Sequence, residues 1–352
     1  MASAETFSSM LHRARPGRGL SRRVAGLVLA LACVCLVALS LGPVPIAPGR
    51  LLAAIGNATA LADYEHAVLW QIRLPRIVLA LAIGAALGIA GAGMQALLRN
   101  PLAEPGLVGV SSGAALSAAA YLVLGTGLVP VALGLPLASF AGAAIAAWAV
   151  LRLALVGGRT QVATMLLAGL ALNAVAGAGI GLLSYVADDF ALRAVTLWMF
   201  GSLARAGLAD LAVGVPLLLI AATWIGLRAR ALNALLLGEA EARHLGVDVE
   251  ALKRRLTLAI VVAAGIAVAL AGIIGFVGLI VPHLVRLWVG PDHRLVLPLS
   301  GLLGALLLLV ADTLARTLFM PAELPVGILT ALVGGPFFLA LLLRYRGGAE
   351  LS

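Results

Sequence analysis

The chain has few charged and few aromatic residues. Of its 352 residues, 11% are Asp, Glu, Lys or Arg and 5% are Phe, Trp or Tyr, whereas 62% are hydrophobic and the mean hydropathy is +1.12. A soluble core could not enclose so much apolar side chain. The composition therefore excludes an ordinary soluble domain and predicts an all-α polytopic membrane protein, since the apolar runs are continuous and do not alternate.

Cysteine and lysine are almost absent. Cys33 and Cys35 lie two residues apart in one apolar run, a spacing that points them to different sides of a helix and fits neither a disulfide nor a metal pair. The only lysine, Lys253, does not follow a glycine-rich phosphate-binding loop, and no such motif occurs in the chain. No metal site is predicted, and if ATP drives this protein, another chain must bind the nucleotide.

The net charge of +9 could suggest nucleic-acid binding, but most basic residues stand beside the ends of apolar runs. That placement is typical of membrane topology, so no nucleic-acid partner is predicted. With ten spans and a cytoplasmic N-terminus, 18 of the 24 Lys and Arg residues lie inside and six lie outside. This asymmetry predicts that both termini are cytoplasmic.

The ten predicted spans occupy residues 24–346, between a cytoplasmic tail of residues 1–23 and a C-terminal tail of residues 347–352. We interpret the first run as an uncleaved span, because it is longer than the apolar core of a signal peptide. The spans are Val24–Leu41, Pro75–Leu98, Gly106–Leu124, Val129–Val150, Ala163–Val186, Leu208–Leu227, Leu256–Gly272, Ile274–Val289, Val296–Leu318 and Val326–Leu343.

Two further patterns concern the arrangement of the spans. Similar glycine placement, Gly106 to Gly109 against Gly275 to Gly278, indicates an inverted repeat that relates spans two to five to spans seven to ten. Between spans five and six, residues 196–203 form an amphipathic stretch too short to cross, which we place as a helix at the outer membrane surface.

The longest charged stretch between spans is Leu237–Arg255, which predicts a cytoplasmic segment by which another protein could move this one. Glu239 and Glu241 suit the first turn of a helix, and Gly246 suits a turn between two short helices. The alternative is an ordinary solvated loop, since charge runs usually face water.

Several polar motifs have both a functional and a structural interpretation. Gly109–Gly113 matches the G-x-S-x-G pattern of a serine hydrolase with Ser111 as nucleophile, but it opens a small-residue helix, which favours helix packing. Asp312 and Arg316, at i and i+4, predict a buried ion pair or an ion relay. Arg73 and Arg76, at the outer mouth of span two, suit either lipid anchoring or docking of a partner.

Five runs together resemble the permease subunits of type II ATP-binding-cassette importers for iron-siderophores, haem and vitamin B12. They keep the order of that family from the second span to the tenth. The runs are residues 70–76 (WQIRLPR), 93–106 (GMQALLRNPLAEPG), 237–246 (LGEAEARHLG), 275–283 (GFVGLIVPH) and 322–327 (AELPVG). The run from Asp188 to Leu203 is most similar to the haem permeases.

The resemblance implies a homodimer in the lipid bilayer, two ATPase subunits below it and a periplasmic substrate-binding protein above it. It implies no cofactor on this chain, since ATP and Mg would be bound by the ATPase. The residues that it implies are Gly238, Glu239, Ala240, Arg243, His244, Leu245 and Gly246 for ATPase coupling, Arg73, Arg76 and Arg316 for binding-protein docking, Val162 and Ala163 for the cytoplasmic gate, and Met165, Leu172 and Asn173 for the pathway. At the gate, Val162 and Ala163 stand where relatives can carry small hydroxyl residues.

The sequence therefore predicts a permease subunit that moves haem by alternating access and is not itself an enzyme. Ferric siderophore and cobalamin are alternative substrates within the same family. An ion-coupled secondary transporter is the alternative from another class.

Overall fold

The computed structural model describes residues 18–56, 61–125, 129–157 and 159–349. These residues form α-helices joined by short connections. The helices are α1 Arg18–Ser40, α2 Pro48–Gly56, α3 Asp63–Ala67, α4 Leu74–Leu98, α5 Val110–Ala120, α6 Val131–Ala154, α7 Val162–Val186, α8 Asp189–Met199, α9 Leu208–Gly226, α10 Ala229–Leu236, α11 Glu239–His244, α12 Val249–Ala271, α13 Val277–Val289, α14 His293–Ala315 and α15 Val326–Ala349.

Within the described ranges, seven helical segments are long and apolar enough to cross a membrane, and three more are apolar but shorter. Each predicted span overlaps one of these segments, so the polytopic helical fold is confirmed, while the number of crossings and the side of the termini stay predictions. The first helix begins at Arg18, inside the predicted N-terminal tail, of which residues 1–17 lie outside the described residues. The last helix continues to Ala349, into the predicted C-terminal tail.

The second predicted span is longer than the sequence indicates. Helix α3, a π-helical turn at Val68–Arg73 and α4 form one continuous helix from Asp63 to Leu98. The N–H of Leu74 donates to the carbonyl of Leu69, one residue further back than in an α-helix. Pro75, where the sequence predicts the second span to begin, has no N–H to donate. The local π turn before it lets the helix continue through this proline.

Helix α4 forms the centre of the protein, and most of its residues are buried on every side. Glycines allow other backbones to approach it: a Cβ added at Gly91 would lie 1.9 Å from the carbonyl oxygen of Gly278, and one at Gly84 would lie 2.3 Å from that of Gly304. These contacts bring α13 and α14 against α4. The helices therefore pack closely through small residues, as is usual for helices in lipid.

The ends of several helices are set by short polar residues and glycines. Asp188, Asp248 and Asp292 accept hydrogen bonds from backbone N–H groups at the starts of α8, α12 and α14. Helix α8 begins at Asp189, so the predicted surface helix starts earlier and ends sooner than residues 196–203. A hairpin that the sequence does not predict, β1 Leu155–Val156 with β2 Arg159–Thr160, joins α6 to α7.

The two glycine motifs of the predicted repeat meet inside the protein. A Cβ added at Gly278 would lie 3.2 Å from Cδ of Pro105, and both short helices start after a left-handed residue, Gly109 before α5 and Phe276 before α13. The two short helices therefore begin in the same way, while the inverted repeat itself stays a prediction.

Candidate functional site

The charged segment Leu237–Arg255 forms a short helix between two glycines. Gly238 (φ 124°) precedes α11 and Gly246 (φ 82°) follows it, and both adopt backbone conformations that favour glycine. The prediction that Glu239 begins a helix is confirmed. The turn between two short helices, however, falls at Leu237–Gly238, because α10 precedes it, while Gly246 separates α11 from the long helix α12.

Most of the coupling residues are exposed, but the segment is held firmly. Ala242 is buried on the inner side of α11, whereas Arg243, His244 and Leu245 at its C-terminal end are exposed. On α10, Asn233 donates to Asp292 (2.6 Å) and accepts from the backbone N–H of His293 (2.8 Å), so the segment is tied to the start of α14. Sequence reasoning missed Asn233, and nothing in its neighbouring residues indicates this role.

The predicted gate residues begin helix α7. Val162 is its first residue, directly after the β1–β2 hairpin, and Gln161 is the residue that precedes the helix. Of the predicted pathway residues, Met165 is 1% exposed and belongs to the core in this conformation. Leu172 and Asn173 are half-buried, and Asn173 accepts a hydrogen bond from the hydroxyl of Ser112 (2.6 Å).

A cavity of about 400 Å³ lies between α5, α7 and the turn before α13. Its polar lining consists of Glu104, Ser111, Ser112 and Asn173, and Phe276 forms part of its apolar wall. Burial raises the pKa of the Glu104 carboxyl, while the N–H of Phe276, which donates to it, acts in the opposite direction. Sequence reasoning missed Glu104, although it lies within one of the runs that resemble the family.

Ser111 has a helical setting and no strand before it. Ser112, the next residue, bonds to Asn173 and to the carbonyl of Gly109, while Gly113 packs against Gly142. These contacts favour helix packing as the role of the G-x-S-x-G motif.

A second cavity, of about 540 Å³, lies on the other side of Phe276. Helix α15 lines it with Ile328, Leu332 and Pro336, and Phe200 closes one end. The ring of Phe276 packs against Gly334, where an added Cβ would lie 2.2 Å from the ring. The predicted tenth span therefore presents an apolar wall to this cavity.

The three predicted docking arginines are buried. Arg73 donates to the carbonyls of Leu39, Ser40 (3.2 Å) and Val44, and Arg316 donates to the carbonyl of Ala38. These carbonyls belong to the last turn of α1 and the loop after it, where helical partners are missing. The side chain of Arg316 therefore helps to cap α1, and a docking role for these residues stays a prediction.

The prediction that Asp312 pairs with Arg316 is wrong, because Asp312 pairs with an arginine on another helix. Asp312 accepts from Arg76, whose Nη2 lies 2.9 Å from Oδ1, and Glu323 lies 2.8 Å from Nη1 of the same arginine. Three segments distant in sequence, α4, α14 and the loop before α15, therefore meet at one guanidinium. The i, i+4 spacing did indicate a buried charge but could not indicate a partner on another helix.

Comparison with known proteins decides the family, since residues 29–344 match the FecCD transport family. The chain belongs to the FecCD transport family. The hemin transport system permease protein HmuU of Yersinia pestis is 46% identical over 324 residues, which cover 91% of this chain and 96% of that protein. The vitamin B12 import system permease protein BtuC of Klebsiella pneumoniae is 41% identical over 344 residues, covering 97% and 99%.

A solved structure agrees with the FecCD assignment. It shows an inward-facing conformation of a metal-chelate type ABC transporter, with a TM-score of 0.81, 30% identity, and coverage of 92% of this chain and 99% of that one. The FecCD chain is thus a multi-pass inner-membrane protein and a permease of ABC importers. Such permeases work with an ATPase and a substrate-binding partner.

Proposed function

We propose that this FecCD permease imports haem by ATP-driven alternating access, as a homodimer with two ATPase subunits and a periplasmic binding protein. The coupling segment carries the proposal. Helix α11 is a short, largely exposed helix between two glycines, and it follows α10, which Asn233 ties to the start of α14. Because the chain has no phosphate-binding loop, this segment supplies the surface through which an ATPase that binds ATP and Mg would act, with Gly238 to Gly246 as its contact residues.

An exposed small-residue face on α7 supports the homodimer. Gly177 and Gly181 have no atom within 4 Å of an added Cβ, and Leu167 and Leu170 on the same helix are 67% and 65% exposed. Helices in lipid associate through such small residues. A second copy of the chain would cover this face and place Asn173 beside a central pathway, with lipid around the outside.

The substrate assignment rests on similarity and on the apolar lining. The relative with 46% identity over most of both chains is named for hemin transport. The cavity beside α15 is apolar, which suits a flat, bulky ligand that must not be held tightly. Within this proposal, the chain transports and does not catalyse a reaction.

Cobalamin is the second candidate. Relatives named for vitamin B12 import match at similar identity and with still higher coverage. The polar lining of the other cavity, with the amide of Asn173 and the Ser111 and Ser112 hydroxyls, would suit the amide groups of cobalamin better than an apolar face. A ferric siderophore is the third substrate class for the same conduit.

The ion-coupled alternative finds little support in the charges of the spans. Asp312 is 1% exposed and its carboxylate is engaged by Arg76. A carboxylate neutralised in this way has no free charge with which to bind a driving ion.

Reconstitution tests the proposal. The permease and its ATPase would be reconstituted in vesicles together with the binding protein, with ATP on the side of the membrane where the ATPase lies. Haem entry would be followed, and cobalamin and a ferric siderophore would be tested in parallel. We expect haem uptake that stops without ATP. Uptake that persists without ATP would overturn ATP coupling, and ATP-dependent uptake of cobalamin alone would replace the substrate.

A further inference from the structure

The only lysine of the chain lies buried between two carboxylates. Lys253, on α12, is 5% exposed. Its Nζ lies 2.7 Å from Oε1 of Glu239 on α11 and 3.6 Å from Oε1 of Glu250, one turn earlier on its own helix. The lysine therefore links the coupling helix to a carboxylate at the start of a membrane-spanning helix.

The second oxygen of Glu250 extends this link to the gate. Its Oε2 accepts a hydrogen bond from the backbone N–H of Thr160 at 3.1 Å. Thr160 belongs to β2, which pairs with Leu155 of β1. One carboxylate thus contacts the lysine through one oxygen and the hairpin through the other.

The hairpin is joined directly to the first turn of α7. The N–H of Gln161 donates to the carbonyl of Ala154 (2.9 Å), and the N–H of Met165 donates to the carbonyl of Gln161 (3.0 Å). Val162 lies between these two bonded positions. We therefore expect a displacement of Thr160 to move the start of α7, since only Gln161, whose N–H and carbonyl are both hydrogen-bonded, separates them.

We propose that Lys253 is a positioning residue that transmits movement of the coupling helix to the gate, along the series Glu239, Lys253, Glu250 and Thr160. This inference rests on the proposed function, because it assumes that an ATPase moves α11. Removing the ammonium leaves two buried or half-buried carboxylates without their shared cation, so the two ends of the series no longer move together.

The burial of Lys253 distinguishes it from the neighbouring basic residues, which only mark the cytoplasmic end of a span. Arg254 and Arg255 follow immediately but are exposed, whereas Lys253 is on the buried face of α12. Glu239 also contacts Arg243 at 3.4 Å, but both members of that pair are on α11 and cannot connect it to another element. Lys253 is therefore the cation that joins the coupling helix to α12.

The test uses the reconstituted complex of permease, ATPase and binding protein. Lys253→Gln is compared with Lys253→Arg, which keeps the charge, and with Arg294→Gln, which removes an exposed cytoplasmic charge elsewhere. Each is measured for substrate uptake, ATP hydrolysis and labelling of a Val162→Cys site by a water-soluble thiol reagent, with Cys33→Ser and Cys35→Ser as background.

We expect Lys253→Gln to lower uptake per ATP hydrolysed by roughly 5- to 150-fold, the usual range of coupling between distant sites. Hydrolysis should persist, and the nucleotide-dependent change in labelling at Val162→Cys should disappear. Lys253→Arg should restore both, and Arg294→Gln should change neither. Adding Glu250→Ala to Lys253→Gln should cost no more than either alone, because the two act in one series.

Three results would overturn the inference. Normal coupling and normal labelling in Lys253→Gln would show that the lysine transmits nothing. Parallel loss of uptake, hydrolysis and assembly, with no rescue by Lys253→Arg, would show a purely structural residue. Additive losses in the double variant would show two independent routes. A wild-type complex that carries no substrate with ATP would instead overturn the proposed function.

Discussion

Arg76 and Asp312 form a bidentate ion pair across 236 residues of chain: the arginine Nε lies 3.0 Å from each carboxylate oxygen. Both side chains are buried, so each removes the cost of burying the other. The pair joins the central helix α4 to α14 and fixes where the two helices meet.

Removing one partner of this pair should destabilise the protein. We expect Asp312→Asn to lower the free energy of unfolding by about 3–5 kcal/mol, because Arg76 then keeps a buried charge without its main partner. Thermal unfolding in detergent measures the effect. The double variant Arg76→Met with Asp312→Leu should recover much of the loss, and a larger loss in the double variant would contradict this account.

The ion pair between Arg76 and Glu323 allows a test of whether Arg76 docks the binding protein. Glu323 is 35% exposed in its side chain and occupies one face of the guanidinium. If Arg76 binds carboxylates of the binding protein, Glu323→Gln should tighten docking, since it removes an internal competitor. Charge reversal at Arg73 or Arg76 should weaken docking, and less so at high salt. Titration with the binding protein measures both effects, with Asp189→Asn as an exposed outer control; unchanged affinity would exclude the docking role.

The caps on α1 should contribute to stability. Arg73→Ala leaves the carbonyls of Leu39 and Ser40 without their donor, and we expect a loss of about 1–3 kcal/mol. Hydrogen exchange should locate the change at the end of α1. Slower or unchanged exchange there would show that other donors satisfy these carbonyls.

Close backbone contacts predict a sharp difference between two glycines. Gly91→Ala would place its Cβ against the carbonyl of Gly278, so we expect the free energy of unfolding to fall by about 1–3 kcal/mol. Gly26→Ala meets no atom within 4 Å and should be neutral or stabilising by up to about 1 kcal/mol. Thermal unfolding of both variants checks the comparison, and equal effects would argue against the packing of α4 on α13.

The hydrolase interpretation of the G-x-S-x-G motif has a direct test. Ser111→Ala should leave ATP-driven haem uptake nearly unchanged, because the serine lies in the first turn of α5 and, among the described residues, its hydroxyl hydrogen-bonds to no side-chain base. Uptake by the reconstituted complex is the measurement. Loss of uptake with an intact fold would require a chemical role for this hydroxyl.

Hydropathy predicted the positions of the ten apolar helices, because an apolar run needs only its own length and composition to be recognised. It could not predict that α3 continues into α4, since Pro75 looks like a helix start unless the π turn before it is known. A turn at Gly246 was likewise predictable from the local sequence, whereas the turn at Gly238 between the two short helices was not. The partners of Asp312, Arg73 and Arg316 were not, because their contacts lie on helices far away in sequence.

At the gate, too, one feature was predictable from the sequence and another was not. The start of α7 at the predicted gate residues, Val162 and Ala163, follows from where its own apolar run begins. That Thr160 bonds to Glu250, 90 residues later, depends on how α6, α7 and α12 pack, and no short motif encodes it.

The capping of α1 also bears on how the protein is made. The carbonyl of Ala38 accepts from Arg316, which is synthesised 278 residues later. At about 5–20 residues per second, roughly 15–60 s of translation separate the two. This cap of α1 is therefore completed only after the ninth apolar helix has been made, and until then the carbonyl of Ala38 depends on water or on another donor.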